Sequence, residues 1–170
     1  MVTHMKAIAF GIALVLCAGS ARAFDIEGRV ISVIDGDTID VLDAARVVHR
    51  VRLSSIDAPE RDQPFGRRSR QSLDRMVYRA AVQARCGKME QRPEGQRNRA
   101  LCKVYRDGVD INLAQVRAGF AWHYKAYERE QPAWESAIYA QAERQARAAR
   151  RGLWRDAKPI APWVWRRAGH

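Results

Sequence analysis

Apolar and polar residues alternate on a short period along the stretch from Ile26 to Asp43. The apolar positions of this stretch are Val30, Ile31, Val33, Ile34, Ile39, Val41 and Leu42. Asp35-Gly36 interrupts them with residues that favour a tight hairpin turn. Val47 to Ile56 carries a third apolar run. Because no helical segment separates the three runs, they predict an antiparallel meander of three strands.

Apolar residues at helical spacing predict three helices in the rest of the chain. The first spans Arg67 to Ala81. In the second, Asp110 caps the N-terminus and Gly119 ends the helix. The third begins near Pro132, which suits a first helical turn, and Gly152 marks its end. The buried stripe predicted for this third helix is Trp134, Ala137, Ile138, Ala142 and Ala146.

The first 23 residues have the layout of a secretory signal. Met5-Lys6 opens a basic stretch, Ala7 to Ala18 is mostly apolar, and Ala21-Arg22-Ala23 has small residues where a signal peptidase reads them. A buried N-terminal helix is the alternative, although no cap or polar face accompanies the run. The apolar run is shorter than the roughly 20 residues of a membrane-spanning helix. We therefore expect a signal peptide at 1–23, a mature domain at 24–170 without membrane insertion, and a periplasmic or secreted location.

Two cysteines, Cys86 and Cys102, remain after that cleavage. Val82 to Cys86 and Arg99 to Tyr105 look like strands, and a turn centred on Pro93-Glu94-Gly95-Gln96 would place the two cysteines close to opposite each other. A metal site would need more ligands, so an exported chain favours a disulfide here. Five strands and three helices then make a small α+β, barrel-like domain.

The chain is strongly basic, with a formal net charge of +11. Such an excess favours a polyanionic partner, either nucleic acid or an anionic membrane surface, and composition does not choose between them. The segment from Lys158 to His170 is expected to form an irregular surface tail. Within it, Trp163 to Arg167 mixes aromatic and cationic residues, which either stack on bases as in single-strand binders or pack on the barrel.

Two acidic segments carry the candidate chemistry. Asp37 follows the first hairpin turn, while Asp57 and Glu60 lie at the end of the third strand. Adjacent strands could bring Asp37 and Asp57 side by side, and two converging carboxylates repel unless a cation or a shared proton neutralises them. Carboxylate oxygens suit calcium or magnesium rather than zinc. Arg52 could bind a phosphate held against the same metal, because guanidinium makes paired hydrogen bonds to phosphate oxygens.

Five segments in this order resemble the staphylococcal nuclease (thermonuclease) family. They are Val33–Thr38, Val51–Leu53 through Asp57–Glu60, Asn98–Leu101, Asp107-Gly108 with Asn112-Leu113, and Gly119–Trp122 with Gly152–Trp154. The resemblance covers nearly all of residues 24–170. It implies a five-stranded OB-fold barrel carrying about three helices, and calcium-dependent hydrolysis of DNA and RNA that leaves 3′-phosphate ends.

The resemblance also implies a role for each matching residue. Asp37 and Asp57 would coordinate calcium together with the backbone carbonyl of Ala58. Glu60 takes the position of the general base for the attacking water. Arg52 and Arg99 would hold the phosphate and stabilise charge on its oxygens.

The chain departs from the family just before the second arginine. Arg97-Asn98 stands where the family commonly has tyrosine–glycine, so Arg97 competes with Arg99 for the phosphate, and Gln96 replaces a frequent lysine. Tyr127 matches, loosely, a tyrosine that contacts a terminal phosphate.

The rival hypothesis is a non-catalytic OB-fold protein that binds nucleic acid without cutting it. The basic charge and the altered segment Arg97-Asn98 favour it. The retention of Asp37, Arg52, Asp57 and Glu60 together opposes it, because acids in a pure binding surface would repel phosphate. We therefore expect a monomeric nuclease acting on DNA and RNA.

Overall fold

The computed structural model describes residues 23–126 and 131–169. Tyr127 and residues 1–22 of the expected signal peptide lie outside the described residues. Within the described ranges, none of the helices has the length and apolar character needed to cross a membrane.

Eight strands and four helices form the described fold. The strands are β1 (Phe24–Val33), β2 (Thr38–Asp43), β3 (Val48–Leu53), β4 (Ile56–Asp57), β5 (Ala81–Glu90), β6 (Arg99–Arg106), β7 (Val109–Asp110) and β8 (Trp122–His123). The helices are α1 (Gly66–Val77), α2 (Ile111–Arg117), α3 (Ala133–Ala148) and α4 (Pro162–Arg167).

Five of these strands close into a barrel. Strands β1, β2 and β3 form the antiparallel meander predicted from the alternation, and β5 and β6 extend the sheet from β1. Parallel pairing of β3 with β6 closes it. The side chains that point inward are apolar and buried, and they include Val30, Ile39, Val41, Val51, Leu53, Ala84 and Val104. The expected α+β class and five-stranded OB-fold barrel are confirmed.

The disulfide between Cys86 and Cys102 is also confirmed. The two cysteines are register partners in the β5–β6 pair, and both are buried in the barrel core. The bridge therefore joins the strand that extends the meander to the strand that closes the barrel.

The three predicted helices are present. The buried stripe predicted for α3 is correct at Ala142 and Ala146 and wrong at Trp134, Ala137 and Ile138. Trp134 and Ile138 are 68% and 38% exposed. The buried face instead consists of Ser136, Tyr139, Ala142, Glu143 and Ala146. Its polar members are paired, because the Tyr139 hydroxyl donates to the carboxylate of Asp110 and Glu143 accepts from a backbone N–H. Apolar character alone therefore misplaced three of the five predicted positions of this helix.

The expectation of an irregular tail from Lys158 to His170 was wrong as well. Pro162 occupies the first turn of α4, where its missing N–H costs nothing and its fixed φ favours the helix. The side chain of Trp163 packs against a second apolar cluster, whose buried members are Trp122, Ala146, Leu153, Trp154 and Ala161. This packing fixes α4 beside the β4–β8 pair.

Candidate active site

The turn between β1 and β2 is held by the two helices beneath it. A Cβ atom at Gly36 would lie 1.9 Å from Ser69 Oγ of α1 and 2.7 Å from Ala58 Cβ, so glycine is required by close approach. Gln115 of α2 donates its side-chain N–H to the Gly36 carbonyl at 2.8 Å. The backbone N–H of Asp37 donates to Asp35 Oδ1 at 3.0 Å. These contacts fix the direction in which the next side chain, that of Asp37, leaves the turn.

Asp37 and Asp57 converge on the guanidinium group of Arg52. Nη1 of Arg52 donates to Asp37 Oδ1 at 2.5 Å, and Nη2 donates to Asp57 Oδ1 at 2.8 Å. Arg52 is the register partner of Thr38 in the β2–β3 pair, which sets it beside the strand that starts after Asp37. Asp57 is inaccessible to solvent and Asp37 is 2% exposed. We call Asp37, Asp57 and Arg52 the carboxylate cluster.

Ala58 belongs to the same group through its backbone. Its N–H donates to Asp37 Oδ2 at 2.7 Å, while the hydroxyl of Thr38 donates to Asp37 Oδ1 at 3.1 Å. Ala58 therefore lies directly against the Asp37 carboxylate.

Burial dominates the electrostatics of the carboxylate cluster. Loss of solvent raises the pKa of Asp37 well above its usual range, against the opposing effect of Arg52, and the neighbouring charges of Asp35 and Asp57 raise it further. Burial acts to lower the pKa of Arg52, but the carboxylates of Asp37 and Asp57 outweigh it and raise that pKa. The Arg52 guanidinium is therefore always charged, while burial and the charges of Asp35 and Asp57 oppose ionisation of Asp37. An added cation beside Asp37 would favour its ionised form.

A second arginine, which the sequence did not reveal, reaches the cluster from α4. Nη2 of Arg166 donates to Asp57 Oδ2 at 2.8 Å, and Nη1 donates to Glu60 Oε1 at 2.6 Å and to Asp57 Oδ1 at 3.2 Å. Hydrogen bonding to Asp57, and then to Glu60, raises the pKa of Arg166 against the effect of partial burial. With its side chain 42% exposed, against 16% for Arg52, Arg166 is the more solvent-accessible of these two cationic partners of Asp57.

Glu60 lies at the rim, with its side chain 35% exposed. Its backbone N–H donates to the side chain of Gln63, which in turn donates to the Ile160 carbonyl at 2.6 Å. The loop that carries Glu60 is therefore tied to the segment that leads into α4.

Arg99 lies on the same outer face of the barrel as Arg52, but its side chain pairs with Glu90 and not with the carboxylate cluster. It follows the alternation of β6, in which Ala100 and Cys102 point inward. Its Nε donates to Glu90 Oε2 at 2.5 Å and its Nη2 donates to Glu90 Oε1 at 3.2 Å. The hydrogen bond from Arg99 lowers the pKa of Glu90, and the charge of Arg52 contributes to the same shift. Arg99 is thus near the carboxylate cluster, with Glu90 as its partner.

The donor set fits a hard cation. Two buried carboxylates and an adjacent backbone segment supply oxygen ligands of the kind that calcium and magnesium prefer. In the parts of the chain that the structure describes, no three acidic, histidine or cysteine side chains converge into a metal-binding group. A bound cation would therefore complete its coordination with backbone, water or substrate oxygens.

Comparison with known proteins decides the family of this fold and site. Residues 50–156 match the family model described as staphylococcal nuclease homologue. The chain belongs to the staphylococcal nuclease family. It is 39% identical over 153 residues to a protein of Escherichia coli O157:H7 named as an uncharacterized endonuclease, covering 89% of this chain and 88% of the relative. It is 35% identical over 173 residues to a micrococcal nuclease of Shigella flexneri, covering 96% and 92% of the two chains.

The segment in which the chain departs from the family pattern has a structural function. Asn98 accepts a hydrogen bond from the backbone N–H of Arg92 at 2.9 Å and donates to Gln91 Oε1 at 2.8 Å. These bonds close the loop between β5 and β6. Arg97 is exposed in that loop, and no described contact joins it to the carboxylate cluster.

Proposed function

We infer that this chain is a metal-dependent nuclease that hydrolyses phosphodiester bonds of DNA and RNA, with calcium as its preferred cation. The observation that carries the proposal is the convergence of Asp37 and Asp57 on Arg52. A surface built only to bind nucleic acid gains nothing from buried acids, since they repel phosphate in the absence of a cation. Relatives named as nucleases support the same activity.

Asp37, Asp57 and the Ala58 carbonyl are the residues that would hold the cation. When bound, calcium neutralises the carboxylates and polarises a phosphoryl oxygen. Arg52 binds a second phosphate oxygen through an N–H beyond the two that donate to Asp37 and Asp57, because its permanently charged guanidinium carries five N–H donors.

Glu60 accepts a proton from the attacking water. Its position at the rim gives it access to solvent, and the contact with Arg166 orients its carboxylate. The water oxygen forms a bond to phosphorus while the bond from phosphorus to the 5′-oxygen breaks. The 5′-oxygen takes up a proton from solvent, Glu60 returns to solvent the proton that it accepted, and the 3′-phosphate remains on the other product.

Arg99 approaches the phosphate from β6. Glu90 holds its guanidinium in the absence of substrate. The phosphodiester carries one negative charge and gains a second as the water attacks, and this developing charge is a stronger partner for that fork than the partly exposed carboxylate of Glu90. Arg97 and Tyr127 are proposed as contacts for the flanking nucleotides.

Glu60→Gln separates the nuclease from the inert OB-fold binder. Purified, oxidised residues 24–170 and the variant would be incubated with single- and double-stranded DNA and RNA in calcium, magnesium or chelator. The nuclease proposal expects calcium-dependent cleavage with 3′-phosphate ends, a collapse of hydrolysis in Glu60→Gln, and unchanged DNA affinity. Binding without cleavage in every ion and at every pH would support the inert module instead.

We also propose that the protein is exported and acts as a monomer in the periplasm or outside the cell. The buried disulfide supports an oxidising compartment. Mass spectrometry of the protein recovered outside the cytoplasm should find Phe24 at the N-terminus, and light scattering should give the mass of one chain.

A further inference from the structure

The residue opposite Asp57 begins an aromatic region that the proposed mechanism does not use. Asp57 of β4 is the register partner of Trp122 of β8. Directly opposed residues of an antiparallel pair present their side chains on the same face of the sheet. Trp122 is therefore the immediate neighbour of an acid in the carboxylate cluster.

Three aromatic side chains meet at this point. The ring centroids of Trp122 and Trp163 are 5.6 Å apart at an interplanar angle of 73°, and those of Tyr124 and Trp163 are 5.5 Å apart at 47°. The guanidinium of Arg147 lies 4.7 Å from the Trp122 centroid. Trp122 is buried, whereas Tyr124 and Trp163 are half-buried and keep part of their surface open to solvent.

These side chains line a cavity of about 350 Å³. Six of its described lining residues combine aromatic rings with positive charge: Trp122, Tyr124, Lys125, Arg147, Trp163 and Arg167. One acid, Glu143, also lines the cavity, where its carboxylate lies 3.4 Å from Arg147 and leaves a positive excess. Its volume lies within the range of roughly 300–1,000 Å³ that is typical of small-ligand sites. This combination favours a ligand that is both aromatic and anionic over a purely apolar ligand or a simple anion.

Helix α4 connects this cavity to the carboxylate cluster. Trp163 and Arg167 are four residues apart and so share one side of the helix, where both line the cavity. Arg166 is three residues after Trp163 and next to Arg167, so it lies beside that side of the helix, and it donates to Asp57 and Glu60. A strand whose phosphate lies at the carboxylate cluster would therefore have a flanking nucleotide within reach of the cavity.

We propose that this cavity is a nucleobase-binding subsite, which holds the base next to the scissile phosphate of a single-stranded or frayed segment. The inference rests on the proposed nuclease function. The partly exposed rings of Tyr124 and Trp163 offer stacking surfaces, Trp122 supports them from below, and the cations attract the phosphates on either side of the base. Stacking of this kind accepts any base, since every base has a π face.

The test measures binding without hydrolysis. A fluorescein-labelled single-stranded deoxyhexanucleotide and the same strand with abasic residues are titrated in chelator against the oxidised protein. The wild type should bind the base-containing strand about tenfold more tightly than the abasic strand. Trp163→Ala should lose most of this preference. Trp134→Ala should keep it, because Trp134 is 68% exposed on α3 and does not line the cavity. An equal affinity of the wild type for both strands, or an unchanged preference in Trp163→Ala, would overturn the proposal.

Two further variants guard against a fold defect in Trp163→Ala. Trp163→Phe keeps an aromatic ring and should restore the preference for bases, whereas Tyr124→Ala should weaken it while near-ultraviolet circular dichroism stays native. A native Tyr124→Ala with full preference for bases would count against the subsite. Because these measurements need no cleavage, a protein that prefers bases but cuts nothing would refute the nuclease function alone. A protein that cuts but ignores bases would refute the subsite alone.

Discussion

Replacement of Arg166 by glutamine removes the more exposed of the two arginines that donate to Asp57. Both oxygens of Asp57 now accept hydrogen bonds from Arg166, and a divalent cation at Asp57 must displace them. Arg52 is a poorer candidate for displacement, because its side chain is only 16% exposed and binds two carboxylates. We therefore expect Arg166→Gln to bind calcium more tightly than the wild type.

The size of the effect follows from the exposure of the contact. A hydrogen bond to a charged group contributes roughly 1.5–3 kcal/mol when well shielded, and exposed ion pairs contribute about 0–1 kcal/mol. With 42% of the Arg166 side chain in solvent, a net value of about 1–2 kcal/mol is appropriate. Calcium affinity should accordingly rise by about five- to thirtyfold.

Isothermal titration of metal-free, oxidised protein with calcium would measure this change without any reliance on activity. Arg167→Gln is the matched control, because it removes the same charge from the adjacent position of α4 and should leave the affinity nearly unchanged. Arg166→Lys should fall between the two, since an ammonium group keeps the charge but loses the fork. An unchanged or weaker calcium affinity in Arg166→Gln would refute the reasoning.

Three further outcomes are expected. Arg52→Lys should lower the rate of hydrolysis by about a hundredfold or more, measured as initial rates at saturating calcium, because lysine cannot bridge two acids and a phosphate; a rate near the wild type would remove Arg52 from the mechanism. Gly36→Ala should lower the free energy of unfolding by about 1–3 kcal/mol in urea titrations, because its Cβ would meet Ser69 Oγ, whereas Gly87→Ala, with no atom within 4 Å of the new Cβ, should change it little. The pKa of Asp37 is raised in the folded protein, so protonation of this carboxyl stabilises the metal-free fold. That stabilisation is present at low pH and is lost as pH rises through the raised pKa of Asp37. Calcium binding should then release protons, detected by titrations in buffers of different ionisation enthalpy, and binding without proton release would contradict the assignment.

Local patterns were sufficient for the parts of the site that neighbouring strands assemble. The turn at Asp35-Gly36 and the alternation in the first three runs predicted that Asp37 and Asp57 could lie side by side, because hairpin register depends on a few adjacent residues. In the structure both acids contact Arg52, the register partner of Thr38 in the β2–β3 pair, whereas Asp57 itself lies on β4, which pairs with β8. The same reasoning placed Cys86 opposite Cys102, and the disulfide confirmed it.

The parts that the sequence did not predict depend on contacts between distant segments. Arg166 and Asp57 are 109 residues apart, and no periodicity in either segment indicates that they meet. The partner of Arg99 is similarly hidden, since Glu90 becomes its neighbour only through the register of β5 with β6. In α3, the exposed Trp134 shows the same limit, because hydrogen-bonded polar side chains took the buried face.

The pairing that closes the barrel also has a consequence for folding kinetics. Parallel β3–β6 pairing brings Val51 against Ala100, and the entropy of closing that long loop must be lost before the contacts form. Cys102 is the register partner of Leu53 in this β3–β6 seam and of Cys86 in the β5–β6 pair. In the oxidised chain β5 and β6 are already joined, so β3 has a preformed edge on which to dock. Refolding from denaturant should therefore be faster for the oxidised chain than for the reduced one, with the carboxylate cluster forming in the same step as the seam.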